Sequence, residues 1–136
     1  MSAERKLDGV AESPVTLTPS GSWKDLATAD ATSDCPNKIK VTVFGSGSFG
    51  TALATVVAGN GYQVCILTRR EQVVSEINDR HQNPAHLAST QLPSNITATT
   101  DLKEALAGTS FIIHCIPVQS SYEFLSERAA DIDPTV

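Results

Sequence analysis

Residues 39–50 read IKVTVFGSGSFG, and this stretch decides the fold. Its first half, Ile39 to Phe44, is a short run of β-branched and aromatic residues that stops at a glycine, the pattern of a strand. Gly45-Ser46-Gly47-Ser48-Phe49-Gly50 then spells G-x-G-x-x-G, and the small apolar run TALATVVAGN (51–60) reads as a helix that opens within the motif and packs closely on a sheet. In that context each glycine has a task. Gly45 makes the tight turn, Gly47 lets backbone approach a pyrophosphate, and Gly50 lets the helix lie against the strand. The first helical N–H groups have no backbone partner and carry partial positive charge, so they suit phosphate oxygens. Gly45, Ser46, Gly47, Ser48, Phe49 and Gly50 are therefore the candidate dinucleotide-binding residues. A glycine turn without a ligand and a kinase-type glycine loop are the competing readings. The second lacks support, because Ala52 stands where that loop carries valine and no lysine strand follows.

C-terminal to the helix, Tyr62 to Thr68 forms a second strand pattern and ends in Arg69-Arg70. An acidic residue there would bind a ribose 2′-hydroxyl, whereas two guanidiniums pair a 2′-phosphate. NADP(H) is therefore favoured over NAD(H), against the plainer reading of Arg69 and Arg70 as solvated loop charges. Glu71 to Arg80 spaces Val73, Val74 and Ile77 as a helix, and residues 81–95, with Pro84 and Pro93, read as a connection. A short strand (96–99) and a helix (101–107) with Thr100 as its N-cap follow. Phe111 to Ile116 is the most apolar run and is expected to be a strand buried on both faces. Pro117 ends it, and Tyr122 to Ala130 reads as a last helix. Strands alternating with helices imply an α/β, Rossmann-type doubly wound parallel sheet of about four strands, incomplete beside the six usual for such folds.

N-terminal to residue 39 the pattern is lost. Residues 1–38 hold Pro14, Pro19 and Pro36 among Ser, Thr, Ala and Asp, with no sustained period, and read as a flexible leader. The leader has six acids against four bases and no apolar core of a secretion signal, which favours a cytoplasmic tail, with a plastid address as the alternative. Over the whole 136 residues, 10 Lys+Arg against 15 Asp+Glu give a net charge of −5 with no basic cluster, which speaks against a nucleic-acid partner. No apolar run nears the roughly 20 residues of a membrane span. Cys35, Cys65 and Cys115 are scattered and odd in number, which suits a reducing compartment and fits neither a disulfide framework nor zinc spacing. Cys65, His114 and Cys115 read as strand core, while His81 and His86 flank Pro84 without metal-ligand spacing. Asn95-Ile96-Thr97 matches a glycosylation acceptor by chance. Nothing identifies a general acid or base, so no catalytic residue and no metal ligand is assigned.

Four segments carry a resemblance: VFGSGSFGTALA (43–54), INDRHQNPAHL (77–87), LPSNITATTDLKEAL (92–106) and HCIPVQ (114–119). In this order and spacing they resemble the NAD(P)-dependent sn-glycerol-3-phosphate dehydrogenases, with details closest to the plant and algal type. The resemblance implies hydride exchange between dihydroxyacetone phosphate and sn-glycerol 3-phosphate. It also implies cofactor contacts at Gly45 to Gly50, an adenine-ribose contact at Arg69 with Arg70, and a place near the nicotinamide for Pro117 to Gln119. The family's substrate lysine has no match among Lys6, Lys24, Lys38, Lys40 and Lys103, and its helical substrate domain is not represented. The chain is therefore expected to be the N-terminal dinucleotide-binding portion, 39–136, of a longer enzyme. Alone it should bind cofactor weakly, if at all, meet its small phosphorylated substrate only with the missing domain, and tend to self-associate through an unpaired sheet edge. The alternatives are a non-catalytic NAD(P)-binding module, an inactive remnant, or another dehydrogenase of the same fold.

Overall fold

The central strand is built from the residues that precede the glycine motif. In a computed structural model that describes residues 39–136, β1 (Lys40–Phe44) is parallel to β2 (Gln63–Leu67) on one side and to β4 (Thr109–His114) on the other. β3 (Ile96–Thr99) pairs with β2, again in parallel, giving the order β3-β2-β1-β4. The register sets Val43 beside Ile66 and Phe44 beside Leu67, so alternate residues of neighbouring strands point to the same face.

That alternation makes two cores. On one face Val43, Val64, Ile66 and Ile96 pack with Ala54 and Ala58 of helix α1 (Ser48–Gly59) and with Val73 and Ile77 of helix α2 (Glu71–Arg80). The alanines leave α1 no bulk on its inner side, which is why it lies close to the sheet. On the other face Phe44, Cys65 and Leu67 meet Leu102 and Ala105 of α3 (Leu102–Leu106), flanked by Phe124 of α4 (Val118–Arg128). Helices on both faces of a four-stranded parallel sheet are the α/β, Rossmann-type architecture expected from the sequence. The chain crosses from the β3 edge to the far side of β1 through α3, so strand order reverses between β1 and β4. The carboxyl ends of those two strands border the crevice at which ligands of such sheets bind.

Three local readings are corrected. The cap of α3 is Asp101 and not Thr100: Lys103 N–H and Glu104 N–H donate to Asp101 Oδ1 at 2.7 and 3.3 Å. Thr100 turns outward, and its hydroxyl donates to Glu71 Oε1 at 2.9 Å. The last helix begins at Val118, four residues earlier than Tyr122, with Pro117 at its N-cap position. Pro117 has no N–H to lose and its φ of −53° leads into the helix.

The third correction is the largest. β4 is not buried on both faces. Phe111 is 60% exposed and Ile112 and Ile113 are half-buried, because β4 has one strand neighbour among the described residues. His114 is accordingly exposed, its Nε2 2.8 Å from Ser121 Oγ, and Cys115 is half-buried. Cys65, by contrast, is core as expected. The leader expected over 1–38 lies outside the described residues.

Candidate functional site

The loop between β1 and α1 is shaped by steric contacts that only glycine permits. Gly45 has φ +108°, and a Cβ there would sit 2.9 Å from the carbonyl oxygen of Cys115 at the end of β4. A Cβ on Gly50 would fall 2.2 Å from Gly45 O, inside any tolerable contact. Gly47 differs: a Cβ there would meet nothing within 4 Å, so the loop presents open backbone at this position. Gly45 thus makes the turn and Gly50 the close packing expected from the sequence, while Gly47 leaves its backbone unobstructed.

Just beyond Gly47, α1 begins. Its first bond to the N-cap runs from Thr51 N–H to Gly47 O at 2.9 Å. The N–H groups of Ser48, Phe49 and Gly50 precede it and are left for an external acceptor. No acidic residue occupies the first turn, so nothing offsets the positive end of the helix dipole. Ser48 and Phe49 are exposed beside these amides. Open backbone at Gly47 and unpaired helical N–H groups together fit a pyrophosphate.

The end of β2 is tied to this loop. Gly45 N–H donates to Leu67 O at 2.9 Å, and Ser46 Oγ and Thr68 Oγ1 share a hydrogen bond of 2.7 Å. Arg69 and Arg70 follow directly, both exposed. Among the described residues neither guanidinium pairs with a carboxylate; the ion pair found there is Arg80 with Glu76, at 3.4 Å. Both arginines therefore flank the glycine loop with their charge uncommitted.

The structure brings to the loop Asn83, which the sequence reading passed over, and His86, which it weighed only as a metal ligand and set aside. Asn83, in the connection after α2, is completely buried. Its Nδ2 donates to Ser46 O at 2.9 Å and to Thr51 Oγ1 at 2.8 Å, which fastens the glycine loop from behind. His86 stands in front, Nδ1 3.3 Å from Ser48 Oγ. The only available signal was Asn83-Pro84, a turn marker, which says nothing about the loop it will meet some thirty residues upstream. Neither histidine of this connection belongs to a metal cluster among the described residues. Pro117 to Gln119 open α4 just after Cys115, whose carbonyl faces Gly45.

Burial pushes the Cys65 thiol above its ordinary range, outweighing a hydrogen bond with Thr97 and the charge of Lys40 that act the other way. It raises Cys115 as well. A thiol held neutral is a poor nucleophile. No described residue combines a nucleophile, a base and an orienting carboxylate. No described helix is long and apolar enough to cross a membrane.

The family model described as the N-terminus of NAD-dependent glycerol-3-phosphate dehydrogenase matches residues 40–136. A glycerol-3-phosphate dehydrogenase [NAD(P)+] of Bacillus licheniformis is 42% identical over 94 residues, covering 69% of this chain and 27% of that protein. A chloroplastic glycerol-3-phosphate dehydrogenase [NAD(+)] of Oryza sativa subsp. japonica is 45% identical over 97 residues, or 70% of this chain and 22% of the other. The solved glycerol-3-phosphate dehydrogenase of Saccharomyces cerevisiae superposes with a TM-score of 0.67 at 34% identity, over 72% of this chain and 31% of its own. The chain thus spans about a quarter of the length of the curated relatives it matches.

Proposed function

The chain belongs to the N-terminal family of NAD-dependent glycerol-3-phosphate dehydrogenases, and from that premise we propose that it is the cofactor-holding part of such an enzyme. It holds a nicotinamide dinucleotide on Gly45 to Gly50, for hydride exchange between NAD(P)H and dihydroxyacetone phosphate or sn-glycerol 3-phosphate. One observation carries this reading: the glycine loop is open at Gly47 and close-packed at Gly45 and Gly50, directly before unpaired helical amides. The nicotinamide, when bound, gives or takes the hydride. The protein's part is to bind and orient. Amides of Ser48, Phe49 and Gly50 receive the pyrophosphate, Ser46 ties the loop to β2, and the Pro117–Gln119 corner walls the nicotinamide side. Recognition of the small phosphorylated substrate and proton transfer are assigned to none of the described residues, so the purified chain is not expected to turn over.

We further propose that NADP(H) is preferred. The support is the pair Arg69 and Arg70, exposed at the end of β2 with no carboxylate partner among the described residues. Titration of the protein with NADPH and NADH, followed by nucleotide fluorescence, tests both proposals. Binding is expected to be weak but saturable, tighter for NADPH, and Arg69→Ala/Arg70→Ala should weaken NADPH by about tenfold, the worth of one charge-assisted contact, with little effect on NADH. Equal losses for both nucleotides would overturn the preference, and no saturable binding would overturn the reading that these residues hold the cofactor by themselves. The cytoplasm is the proposed compartment, supported by scattered cysteines. Import of a fluorescent fusion into plastids would replace it with the alternative that the chloroplastic relatives raise.

A further inference from the structure

The turn that carries Asn83 and His86 packs against the glycine loop from a separate part of the chain, and its histidine has a free ring nitrogen and touches Ser48, whose N–H is one of the unpaired helical amides. We propose that His86 is a cofactor-contacting residue, its Nε2–H donating to the pyrophosphate alongside the α1 amides. The inference rests on the cofactor reading above and extends it to a residue outside the glycine motif.

The position of His86 is built rather than incidental. Asn83, completely buried, grips Ser46 O and Thr51 Oγ1 through its side-chain Nδ2, and its backbone carbonyl accepts His86 N–H at 3.2 Å and Leu87 N–H at 2.9 Å. The turn is thereby fixed to the loop at one end and closed on itself at the other. Its last member reaches Ser48, the first residue of α1, with Nδ1 at 3.3 Å from the hydroxyl. When Nδ1 accepts from Ser48, the ring proton sits on Nε2, and a neutral imidazole then offers one donor with no need to be charged. Among the described residues Nε2 has no hydrogen-bond partner and no carboxylate bonds the ring, so this donor is uncommitted. The ring that carries it contacts Ser48, at the helix end where anions are favoured and where Gly47 leaves the backbone open.

Two other uses of the pair fit less well. A Ser–His nucleophile needs a third group to orient the imidazole, and none of the described side chains does so. A metal site needs further ligands, and no group of three His, Cys, Asp or Glu gathers among the described residues.

The test is a titration of the purified chain with ADP-ribose, which carries the pyrophosphate without the nicotinamide, while the ring nitrogens of labelled His86 are followed by NMR. The unsubstituted chain is expected to bind saturably and to move the Nε2 resonance, whereas adenosine, which has no phosphate, leaves it in place. His86→Ala should weaken ADP-ribose about tenfold, the effect of one hydrogen bond to a charged group, with an unchanged melting temperature because the side chain is exposed. His86→Gln, which keeps an N–H donor, should recover part of that loss. Saturable binding with the affinity unchanged in His86→Ala, or with Nε2 stationary, would overturn this inference alone. Absence of saturable binding by the unsubstituted chain would overturn the cofactor reading and this inference with it.

Discussion

β2 and β4 flank β1 on its two sides and carry similar apolar runs, VCIL (64–67) and FII (111–113), yet their surroundings differ completely. Every residue of the β2 run is buried, with Ile66 at 0% exposure, while Phe111 on β4 is 60% exposed. Edge position alone does not explain this. β3 is also an edge strand, and its Ile96 is fully buried because α2 packs over it. Cover by a helix decides burial here, and an apolar run reports only that cover is wanted. The glycine loop grows out of the well-covered side, and that gives it a rigid base.

The comparison is sharpened most by truncating matched residues on the two strands. Ile66→Ala removes a wholly buried side chain and should cost about 2–5 kcal/mol, whereas Ile113→Ala, half-buried, should cost about 1 kcal/mol. Urea unfolding of both variants checks this, and equal costs would break the contrast. Gly50→Ala comes next. Its Cβ would lie 2.2 Å from Gly45 O, so the loop must shift, at about 1–3 kcal/mol of overpacking and with loss of dinucleotide binding. Calorimetry of stability and of NADPH binding on one sample reads both effects; retained affinity would mean the close packing is not what shapes the site. The smallest change in stability is expected for Phe111→Lys, within about 0.5 kcal/mol, as for other exposed positions. Its effect should show in association instead. An unpaired edge bearing an exposed phenylalanine favours self-pairing, and a charge there opposes it. Sedimentation should find the original chain partly associated and the variant monomeric; a monomer in both would remove self-association from the account.

Much of this was legible in the sequence because glycine and proline punctuate it. Gly45 and Gly61 bracket α1, Arg69-Arg70 marks the end of β2, and Pro117 ends β4, so strand and helix order follow from local pattern. The cap of α3 was not, since Thr100 and Asp101 are both cap residues and only the direction of each side chain separates them. Burial of β4 was not legible either, because apolarity records no neighbour. Asn83 and His86 escaped for a related reason: a hydrogen bond between residues 37 or 38 apart leaves no local period. The glycine loop itself was readable because its requirement is steric and falls on consecutive residues.

The most direct test of the central claim is amide NMR of the chain during titration with NADPH. The largest shifts are expected at residues 46–50 and 68–70, the open loop and the arginine pair tied to it by Ser46 and Thr68. Shifts confined to the exposed surface of β4 and α4, with the 46–50 amides unmoved, would contradict it.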